Sequence, residues 1–251
     1  MENVHEGHRA RLRKRFLTEG IDHFEHHQIL ELILFSVIPK QDTNELAHRL
    51  IERFGSFSAV FDASVEELMT VSGIKEAAAT YIKTFPAVFR IYEQDKNRLC
   101  DCYDTMEKLV KYARSLFVGV TCEQVYALML NNRLQIEECF FVSSGTVNSS
   151  PVIPRLIMER VFVNKSSCIV LVHNHPNGNP IASQDDIRIT RMIDQACMIM
   201  GVNFLEHIII AGDQHTTMLH KSKGYQRPSP LTGAIDPDFY YAFYENAEPT
   251  Q

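Results

Sequence analysis

The chain has 251 residues, of which 45% are hydrophobic and 22% are charged, and its formal net charge at neutral pH is −6. This composition is typical of a globular protein of one large or two small domains, and its acidic balance argues against a protein dedicated to nucleic-acid binding. No apolar run is long enough to span a membrane, and the N-terminal segment does not resemble a signal peptide. We therefore expect a cytoplasmic protein without a membrane partner.

Short helices are predicted over the first part of the chain. An apolar run is expected to form a helix that ends just before Pro39, because proline cannot continue a helix. Asp42 can cap the next helix, and Gly55 can end it. Ser64 can cap a third helix, with Glu67 three residues later completing a capping box.

Three regions are predicted along the chain. Residues 1–98 would form a small all-helical domain, residues 99–223 a domain that mixes strands and helices, and residues 224–251 an acidic C-terminal tail. The first boundary lies in the polar stretch EQDKNRLCDC, where the helical pattern gives way to alternating strands and helices. The tail contains the aromatic cluster FYYAFY, which belongs either to a mobile terminus or to a segment that docks on a surface or partner.

The second region has the pattern of a mixed sheet flanked by helices, so the predicted fold class is α+β with an α/β-like arrangement. Two apolar runs joined by NNRLQ predict a hairpin, and Gly201 is expected to end the longest helix. The predicted elements, in chain order, are the helix TMEKLVKYARSLF, the strands QVYALML and IEECFFVS, the helix PRLIMERVFVN, the strand SSCIVLVH, the helix SQDDIRITRMIDQACMIM, and the strands VNFLEHIIIA and TTMLH.

The stretch IVLVHNHPNGNPIASQDD has the residues of a metal site. His173 and His175 lie two positions apart at the end of a predicted strand, so both side chains would point the same way and could bind one ion. Ser183 would begin the next helix, and Asp186 in its first turn could supply a carboxylate as the third ligand. Two histidines, one carboxylate and an open fourth position favour a catalytic zinc site. The Ser183–Asp186 spacing is also that of an ordinary helix cap, which is compatible with the metal site.

These residues resemble a known family. The spacing of His173, His175, Ser183 and Asp186 is similar to the JAMM (MPN+) metalloprotease signature, and HNHPNGNP…SQDD followed by LEHIIIAGD resembles the RadC family of bacteria. The resemblance covers residues 7 to about 223, including GHRARLRKRFL and LILFSVIPKQDT in the helical region. It implies a JAMM/MPN-type domain that binds Zn²⁺ and hydrolyses a peptide or isopeptide bond.

The resemblance also implies roles for two further side chains. Glu123, just before the first long strand, occupies the position of the general base, which takes a proton from the attacking water and hands it to the leaving amine. Ser183 occupies the position of the residue that hydrogen-bonds the oxyanion of the tetrahedral intermediate. From the residues alone, Glu123 cannot be separated from other acidic residues of the region: Glu137, Glu138 and Glu159. The remaining histidines there are not predicted to be ligands: His207, His215 and His220.

The chain departs from the family pattern at two places. Ile181 and Ala182 precede Ser183, whereas RadC-like chains typically have a proline directly before the serine. The serine itself is kept, so the implied chemistry is unaffected. Leu156 follows a Pro-Arg pair where relatives usually carry a glutamate, so any contribution of that glutamate is missing here.

The helical region contains a segment that resembles a helix-hairpin-helix unit, VEELMTVSGIKEAAATYI. Such units bind the DNA backbone through main-chain amides, which glycines allow to approach the phosphates. The candidate DNA contacts are Gly73 and Lys75, with Lys75 in place of the usual second glycine. Two alternatives remain open: the segment only packs within the domain, and the basic run from Arg9 to Arg15 is only a solvated helix face.

Two functions follow from these motifs. The first is a zinc-dependent hydrolase of JAMM type, which cleaves a peptide or isopeptide bond of an unknown substrate with metal-activated water. The second is an accessory protein of DNA repair or recombination, which binds DNA through the helix-hairpin-helix and keeps a non-catalytic metal site. Hydrolysis of phosphodiesters is less favoured, because nucleases of that kind use two metals in carboxylate-rich sites.

Overall fold

The computed structural model describes residues 4–39, 41–98, 102–145 and 154–221. Contacts divide the chain into two compact units, the first ending at Phe89 and the second beginning at Arg90. The predicted tail, residues 224–251, and residues 99–101 beside the predicted boundary lie outside the described ranges. None of the helices in those ranges is long and apolar enough to cross a membrane.

In the first unit, every regular element of the described residues is a helix, in agreement with the predicted class. The elements are α1 (Val4–Glu19), α2 (His26–Leu34), α3 (Thr43–Phe54), α4 (Phe57–Asp62), α5 (Val65–Met69) and α6 (Glu76–Arg98), the last of which extends past the end of the unit. Apolar side chains at helical spacing form the core of the unit. The fully buried ones include Leu30, Leu34, Leu46, Leu50, Leu68 and Ile82.

The ends of α3 and the start of α5 confirm the predicted capping residues. Asp42 accepts a hydrogen bond from the backbone N–H of Asn44 at 2.9 Å, which satisfies a free amide at the start of α3. Gly55 ends α3 with a φ of +87°, in the left-handed region that favours glycine. Ser64 and Glu67 form the capping box of α5, each side chain accepting from the other residue's N–H.

Two helices of this unit differ from the sequence-based expectation. The prediction that the apolar helix runs up to Pro39 is wrong, because α2 ends at Leu34. After that residue the N–H of Val37 donates to the carbonyl of Leu34 at 3.1 Å. This bond spans three residues, as in a 3₁₀ turn, whereas the bonds of an α-helix span four. In contrast, α6 continues through Pro86 to Arg98, so the polar stretch that suggested a boundary is largely helical.

The second unit is a five-stranded mixed sheet flanked by helices, which confirms the predicted α+β class. The elements are α7 (Met106–Leu116), β1 (Gln124–Leu130), β2 (Ile136–Ser144), α8 (Pro154–Asn164), β3 (Cys168–Asn174), α9 (Gln184–Met200), β4 (Asn203–Ala211), β5 (Gln214–Thr217) and α10 (Met218–Lys221). The strand order is β2-β1-β3-β4-β5, and neighbours pair antiparallel except for β3 and β4, which are parallel and connected through α9. The predicted closing strand TTMLH is correct only to Thr217, since the chain is helical from Met218 onward.

Two apolar layers enclose the sheet. On β1, Leu128 and Leu130 belong to the core that contains α7, whereas Ala127 and Met129 belong to the core that contains α8 and α9. β3 lies between the two layers and is buried along its whole length, which explains its uninterrupted apolar sequence. The polar residues at the end of β3 therefore emerge at the carboxyl edge of the parallel pair. His173 is the first of them.

Candidate metal centre

The end of β3 places two histidines side by side. His173 Nε2 and His175 Nε2 are 2.9 Å apart, and both side chains are buried. The backbone at His175 continues the pairing with β4, since its N–H donates to the carbonyl of Ile210 at 2.7 Å. This extended backbone is the reason why side chains two positions apart point to the same spot.

Asp186 reaches the same spot from the first turn of α9. The hydroxyl oxygen of Ser183 accepts from the N–H of Asp186 at 3.1 Å, while Asp186 Oδ2 accepts from both the N–H and the hydroxyl of Ser183 at 2.7 Å. This reciprocal capping box holds the carboxylate beside the histidines. Oδ1 of Asp186 lies 3.2 Å from Nε2 of His173, and Oδ2 lies 3.5 Å from Nε2 of His175. The helix cap and the cluster with the histidines are thus one structure.

The three side chains have the geometry of a metal-binding set. One ligand atom from each of His173, His175 and Asp186 lies within 4.8 Å of the other two. Ligand atoms that share a tetrahedral ion at bond lengths of about 2.0–2.1 Å lie about 3.3 Å from one another. The shortest distances between the three side chains, 2.9 and 3.2 Å from His173 and 3.5 Å from His175 to Asp186, bracket that separation. These residues therefore fit a metal ion and could hold one.

The loop after His175 decides which nitrogen of its ring carries the proton. Nδ1 of His175 lies 2.7 Å from the carbonyl oxygen of Asn179, and a carbonyl can only accept. The neutral ring therefore carries its proton on Nδ1 and directs the lone pair of Nε2 toward His173 and Asp186. Gly178 shapes this loop, because its φ of +76° lies in the left-handed region and its N–H closes a turn to the carbonyl of His175.

Burial and charge shift the protonation of the cluster in opposite directions. Burial lowers the pKa of His173 to about 4, against the opposing charge of Asp186. The hydrogen bond with Asp186 raises the pKa of His175. Burial alone would raise the pKa of Asp186, but the hydrogen bonds with His175 and Ser183 and the field of His173 outweigh it and hold that pKa well below its usual value. At neutral pH the carboxylate is therefore ionised and His173 is neutral, which is the state that metal binding requires.

Asn174, between the two histidines, fixes the backbone around Glu123. Its side-chain oxygen accepts from the N–H of Gln124 at 2.7 Å, and its amide group donates to the carbonyl of Cys122 at 3.0 Å. On the other side, the carbonyl of Glu123 accepts from the N–H of Gly145 at 2.9 Å. The backbone of Glu123 is thus held from both sides.

Glu123 lies directly before β1, close to the cluster. β1 and β3 pair antiparallel, and the end of their ladder sets Val125, two residues after Glu123, opposite His173. After the hydrogen bond with Asp186, the charge of Glu123 is among the smaller causes that raise the pKa of His175. The carboxylate of Glu123 is thus within electrostatic reach of the candidate metal ligands.

The other acidic residues that the sequence could not separate from Glu123 have partners elsewhere in the unit. These partners are Ser166 for Glu137, Asn164 for Glu138 and Arg155 for Glu159. The pair on α8 is exposed to solvent, with 52% of the Glu159 side chain accessible. Among the four acidic residues, the structure therefore connects Glu123 to the candidate metal ligands.

His207 adjoins the cluster although the sequence analysis gave it no role. It is buried on β4, with Nε2 2.8 Å from Nδ1 of His173 and Nδ1 2.7 Å from the hydroxyl oxygen of Thr190. Burial lowers the pKa of His207 well below its ordinary value, so the ring is neutral. A sequence signal for it exists: His173 and His207 each interrupt an apolar run. If the two runs are recognised as neighbouring strands, a contact between these two histidines can be predicted.

The candidate DNA contacts lie in the turn between α5 and α6. Gly73 has a φ of +100°, and an added Cβ would lie 3.4 Å from a methyl group of Leu46, so the turn itself favours glycine there. Lys75 is exposed directly before α6. In the basic run of α1, Arg9 and Arg15 donate to backbone carbonyls of the same unit. These two arginines thus have a structural role, and DNA binding stays a prediction.

The mixed sheet and the cluster at the end of its parallel pair together correspond to a domain of the JAB type. Residues 103–225 match the family model described as a RadC-like JAB domain. Residues 4–80, which form most of the helical unit, match the model described as UPF0758 N-terminal.

Similar proteins occur in several bacteria. A UPF0758 protein of Ruegeria pomeroyi is 33% identical over 218 residues, which are 87% of this chain and 96% of that protein. One from Fusobacterium nucleatum is 33% identical over 227 residues, or 88% and 98% of the two chains. A third, from Coprothermobacter proteolyticus, is 28% identical over 212 residues, or 83% and 90%. The chain belongs to the RadC (UPF0758) family.

Proposed function

We propose that this protein is a zinc-dependent hydrolase of JAMM type, which cleaves a peptide or isopeptide bond in a protein or peptide substrate. The observation that carries the proposal is the convergence of Nε2 of His173, Nε2 of His175 and a carboxylate oxygen of Asp186 on one point. Because the proton of neutral His175 lies on the far nitrogen, at Asn179, its lone pair faces another imidazole and a carboxylate. A cation at this point, either a metal ion or a proton on Nε2 of His175, would balance these lone pairs, and the two imidazoles and the carboxylate suit a metal ion.

The ligand set favours zinc over the hard divalent cations. Two imidazoles and one carboxylate match the ligands of catalytic zinc sites, whereas calcium and magnesium prefer oxygen ligands throughout. When bound, the ion would supply a Lewis acid and lower the pKa of a water molecule to about 7.

Glu123 is the residue we assign to proton transfer. The contacts of Asn174 and Gly145 fix the backbone around it, and its charge contributes to the raised pKa of His175, which supports the assignment. A carboxylate in this position can accept a proton from the attacking water and pass it to the amine that leaves. The rigid backbone suits this role, because proton transfer depends on a fixed distance between donor and acceptor.

Ser183 is the residue we assign to the oxyanion. Its hydroxyl has one proton, which it donates to Oδ2 of Asp186 at 2.7 Å. To stabilise an oxyanion, that hydroxyl must rotate toward the substrate. The N–H of Ser183 still holds the same oxygen at 2.7 Å, so the carboxylate keeps its position when the hydroxyl turns away. The capping box thus leaves the hydroxyl available without releasing the ligand.

Elemental analysis of the purified full chain tests the metal. We expect about one zinc ion per chain, lost in His173→Ala, because two remaining ligands bind zinc weakly. The matched control is His215→Ala, which changes a histidine on β5 outside the cluster and is expected to keep the ion. A protein that holds no divalent metal after zinc is supplied, or a His173→Ala variant that keeps stoichiometric zinc, would overturn the proposal.

Peptide cleavage tests the chemistry. The zinc-loaded chain is incubated with a peptide library that includes isopeptide-linked lysines, and new termini are identified by mass spectrometry. Glu123→Gln is expected to lower the rate by about 10²–10⁴-fold with zinc content unchanged, because the variant removes proton transfer and leaves the ligands intact. The control Glu159→Gln changes an exposed glutamate of α8 and should cleave at the full rate. Equal rates for Glu123→Gln and the unmodified chain would exclude the assigned role.

DNA binding through the helical unit is the second candidate function. The observation that favours it is the exposed Lys75 directly after the left-handed turn at Gly73. Lys75→Glu is expected to weaken binding of duplex DNA and to reduce the slope of log affinity against log salt by about 1. The control Lys111→Glu makes the same charge change on an exposed position of α7. Equal effects of the two variants would indicate a response to net charge alone.

A further inference from the structure

A chain of three hydrogen bonds lies behind the candidate metal ligands. The hydroxyl of Thr190 is 2.6 Å from the carbonyl oxygen of Asp186, one turn earlier in α9. The same hydroxyl oxygen is 2.7 Å from Nδ1 of His207, whose Nε2 is 2.8 Å from Nδ1 of His173. Thr190, His207 and His173 are each at most 2% exposed, so water does not compete for these contacts.

The direction of every bond in this chain follows from counting protons. A carbonyl only accepts, so the single proton of the Thr190 hydroxyl points at Asp186. The hydroxyl oxygen must then accept from Nδ1–H of His207. Burial disfavours a charged imidazole, so His207 has one proton and its Nε2 accepts from Nδ1–H of His173. The proton of His173 is thereby held on the nitrogen that faces away from the cluster.

We propose that His207 and Thr190 are positioning residues, which fix His173 in the Nδ1–H tautomer so that the lone pair of its Nε2 faces the metal position. This inference rests on the metal site of the proposed function. It adds two residues that do not touch the ion and explains why a buried, uncharged histidine stands on β4 next to the cluster. Groups behind a metal-binding histidine commonly set its tautomer and ring orientation.

The chain of hydrogen bonds also connects β3 and α9, the two elements that carry His173 and Asp186. Thr190 lies on the same helix as Asp186, and His207 lies on the strand that pairs in parallel with the strand of His173. The backbone of β4 is fixed at this point, because the buried carboxylate of Glu206 accepts both from the N–H of His207 at 2.8 Å and from the N–H of Met218 at 2.9 Å. A shift of α9 along the sheet would therefore break the hydrogen bond between Thr190 and His207, and the tautomer of His173 would no longer be fixed.

The tautomers can be measured directly in the metal-free full chain. Long-range proton–nitrogen NMR spectra of histidine-labelled protein near pH 8 distinguish protons on Nδ1 from protons on Nε2. We expect His207 and His173 to carry their protons on Nδ1, with assignments made from single-histidine variants. An Nε2–H tautomer for His173 in the unmodified protein would overturn the proposal, whatever its affinity for zinc.

A matched pair of variants tests what the chain does for the metal. Thr190→Val has a similar shape but no hydroxyl, so His207 is free to place its proton on Nε2 and to push the proton of His173 toward the metal position. We expect zinc affinity, measured by competition with a chromophoric chelator, to fall about 10–100-fold, with His173 shifting to the Nε2–H form. Thr190→Ser restores the hydroxyl and should restore both the affinity and the tautomer.

The results separate this inference from the proposed function. Unchanged affinity and an unchanged His173 tautomer in Thr190→Val would overturn the positioning role. An affinity loss of equal size in Thr190→Ser and Thr190→Val would also overturn it, since such a loss would reflect packing of the side chain. If the unmodified chain binds no zinc, the proposed function fails, and the NMR spectra of the metal-free protein still decide whether the hydrogen-bond chain sets the tautomer.

Discussion

The two units each bury a carboxylate beside a histidine, and the comparison shows how differently such a pair can be satisfied. In the helical unit, Glu31 is 1% exposed. One of its oxygens lies 2.8 Å from Nε2 of His8, and the other accepts from the side-chain amide of Asn44 at 3.1 Å. Each carboxylate oxygen thus has a donor of its own, and the network is complete without an ion.

Asp186 of the sheet unit is just as buried but has a different balance of donors and acceptors. Ser183 donates twice to Oδ2, while Oδ1 faces Nε2 of His173. Nε2 of neutral His175 likewise presents a lone pair, because the proton of the ring is on Nδ1, where it is donated to the carbonyl of Asn179. A buried carboxylate next to a histidine therefore does not identify a metal site. What distinguishes the two clusters is whether each buried acceptor atom has a hydrogen-bond donor beside it.

The largest expected difference between the two carboxylates is in metal content. Asp186→Asn removes a charged ligand, and we expect elemental analysis of the zinc-supplied protein to change from about one ion per chain to none. Glu31→Gln makes the same chemical change in the helical unit and should leave the zinc content unaffected. Loss of zinc from both variants would instead indicate that the assay reports on folding, and circular dichroism of each variant checks this.

The pH dependence of zinc affinity is the next largest effect. The pKa of His175 is raised, chiefly by its hydrogen bond with Asp186, so protons compete for its Nε2 from above the ordinary histidine value. Below that raised pKa, affinity should fall about tenfold per pH unit, because one proton must leave for each ion that binds. The pKa of His173 is near 4, so it adds no second proton above about pH 5. Chelator competition between pH 5 and 8 measures the slope, and a slope of two would contradict this assignment.

In the helical unit the same comparison predicts an effect on stability. Asn44→Ala leaves one buried oxygen of Glu31 without its donor, and we expect the free energy of unfolding to fall by about 1–3 kcal/mol. Urea denaturation of the purified variant measures this loss. Gln195→Ala, on an exposed position of α9, serves as the control and should change stability by less than about 0.5 kcal/mol. An equal loss in both variants would mean that the amide of Asn44 does not satisfy Glu31.

The smallest expected effect is that of His8. Its side chain is 41% exposed, so water can replace the bond that His8→Ala removes from Glu31. We expect a loss below about 1 kcal/mol in the same denaturation experiment. A loss greater than that of Asn44→Ala would reverse the order of the two donors and show that the bond from His8 contributes more than the one from the buried amide.

Local signals in the sequence determined most of the helix ends and the class of the second unit. Asp42, Ser64 and Gly55 act within a few residues of their own positions, so their effect could be read without knowledge of the fold. The end of α2 could not be read in this way. The apolar run continues to Ile38, which is buried in the core, yet the backbone leaves the helix at Leu34. Apolar residues there report burial and not helical structure.

The cluster was predictable to the extent that its members are close in sequence. His173 lies in β3 and His175 directly follows the last residue of that strand, while Ser183 and Asp186 share one helix start, so spacing alone placed them. His207 lies on a different strand, and its contact with His173 depends on the pairing of β3 with β4. That pairing is a property of the fold, and the residues next to His207 in the sequence do not predict it.

The crossover from β3 through α9 to β4 has a consequence for how the protein opens. The candidate ligands lie at the end of β3 and at the start of α9. An ion between them would therefore link these two segments, which otherwise can separate when β3 and β4 come apart. Amide hydrogen exchange in β3 and β4 should therefore slow when zinc is added, while exchange in the first turn of α7 is unaffected. Resistance to proteolysis should follow the same pattern, because an ion bound at this point would also stabilise the centre of the sheet.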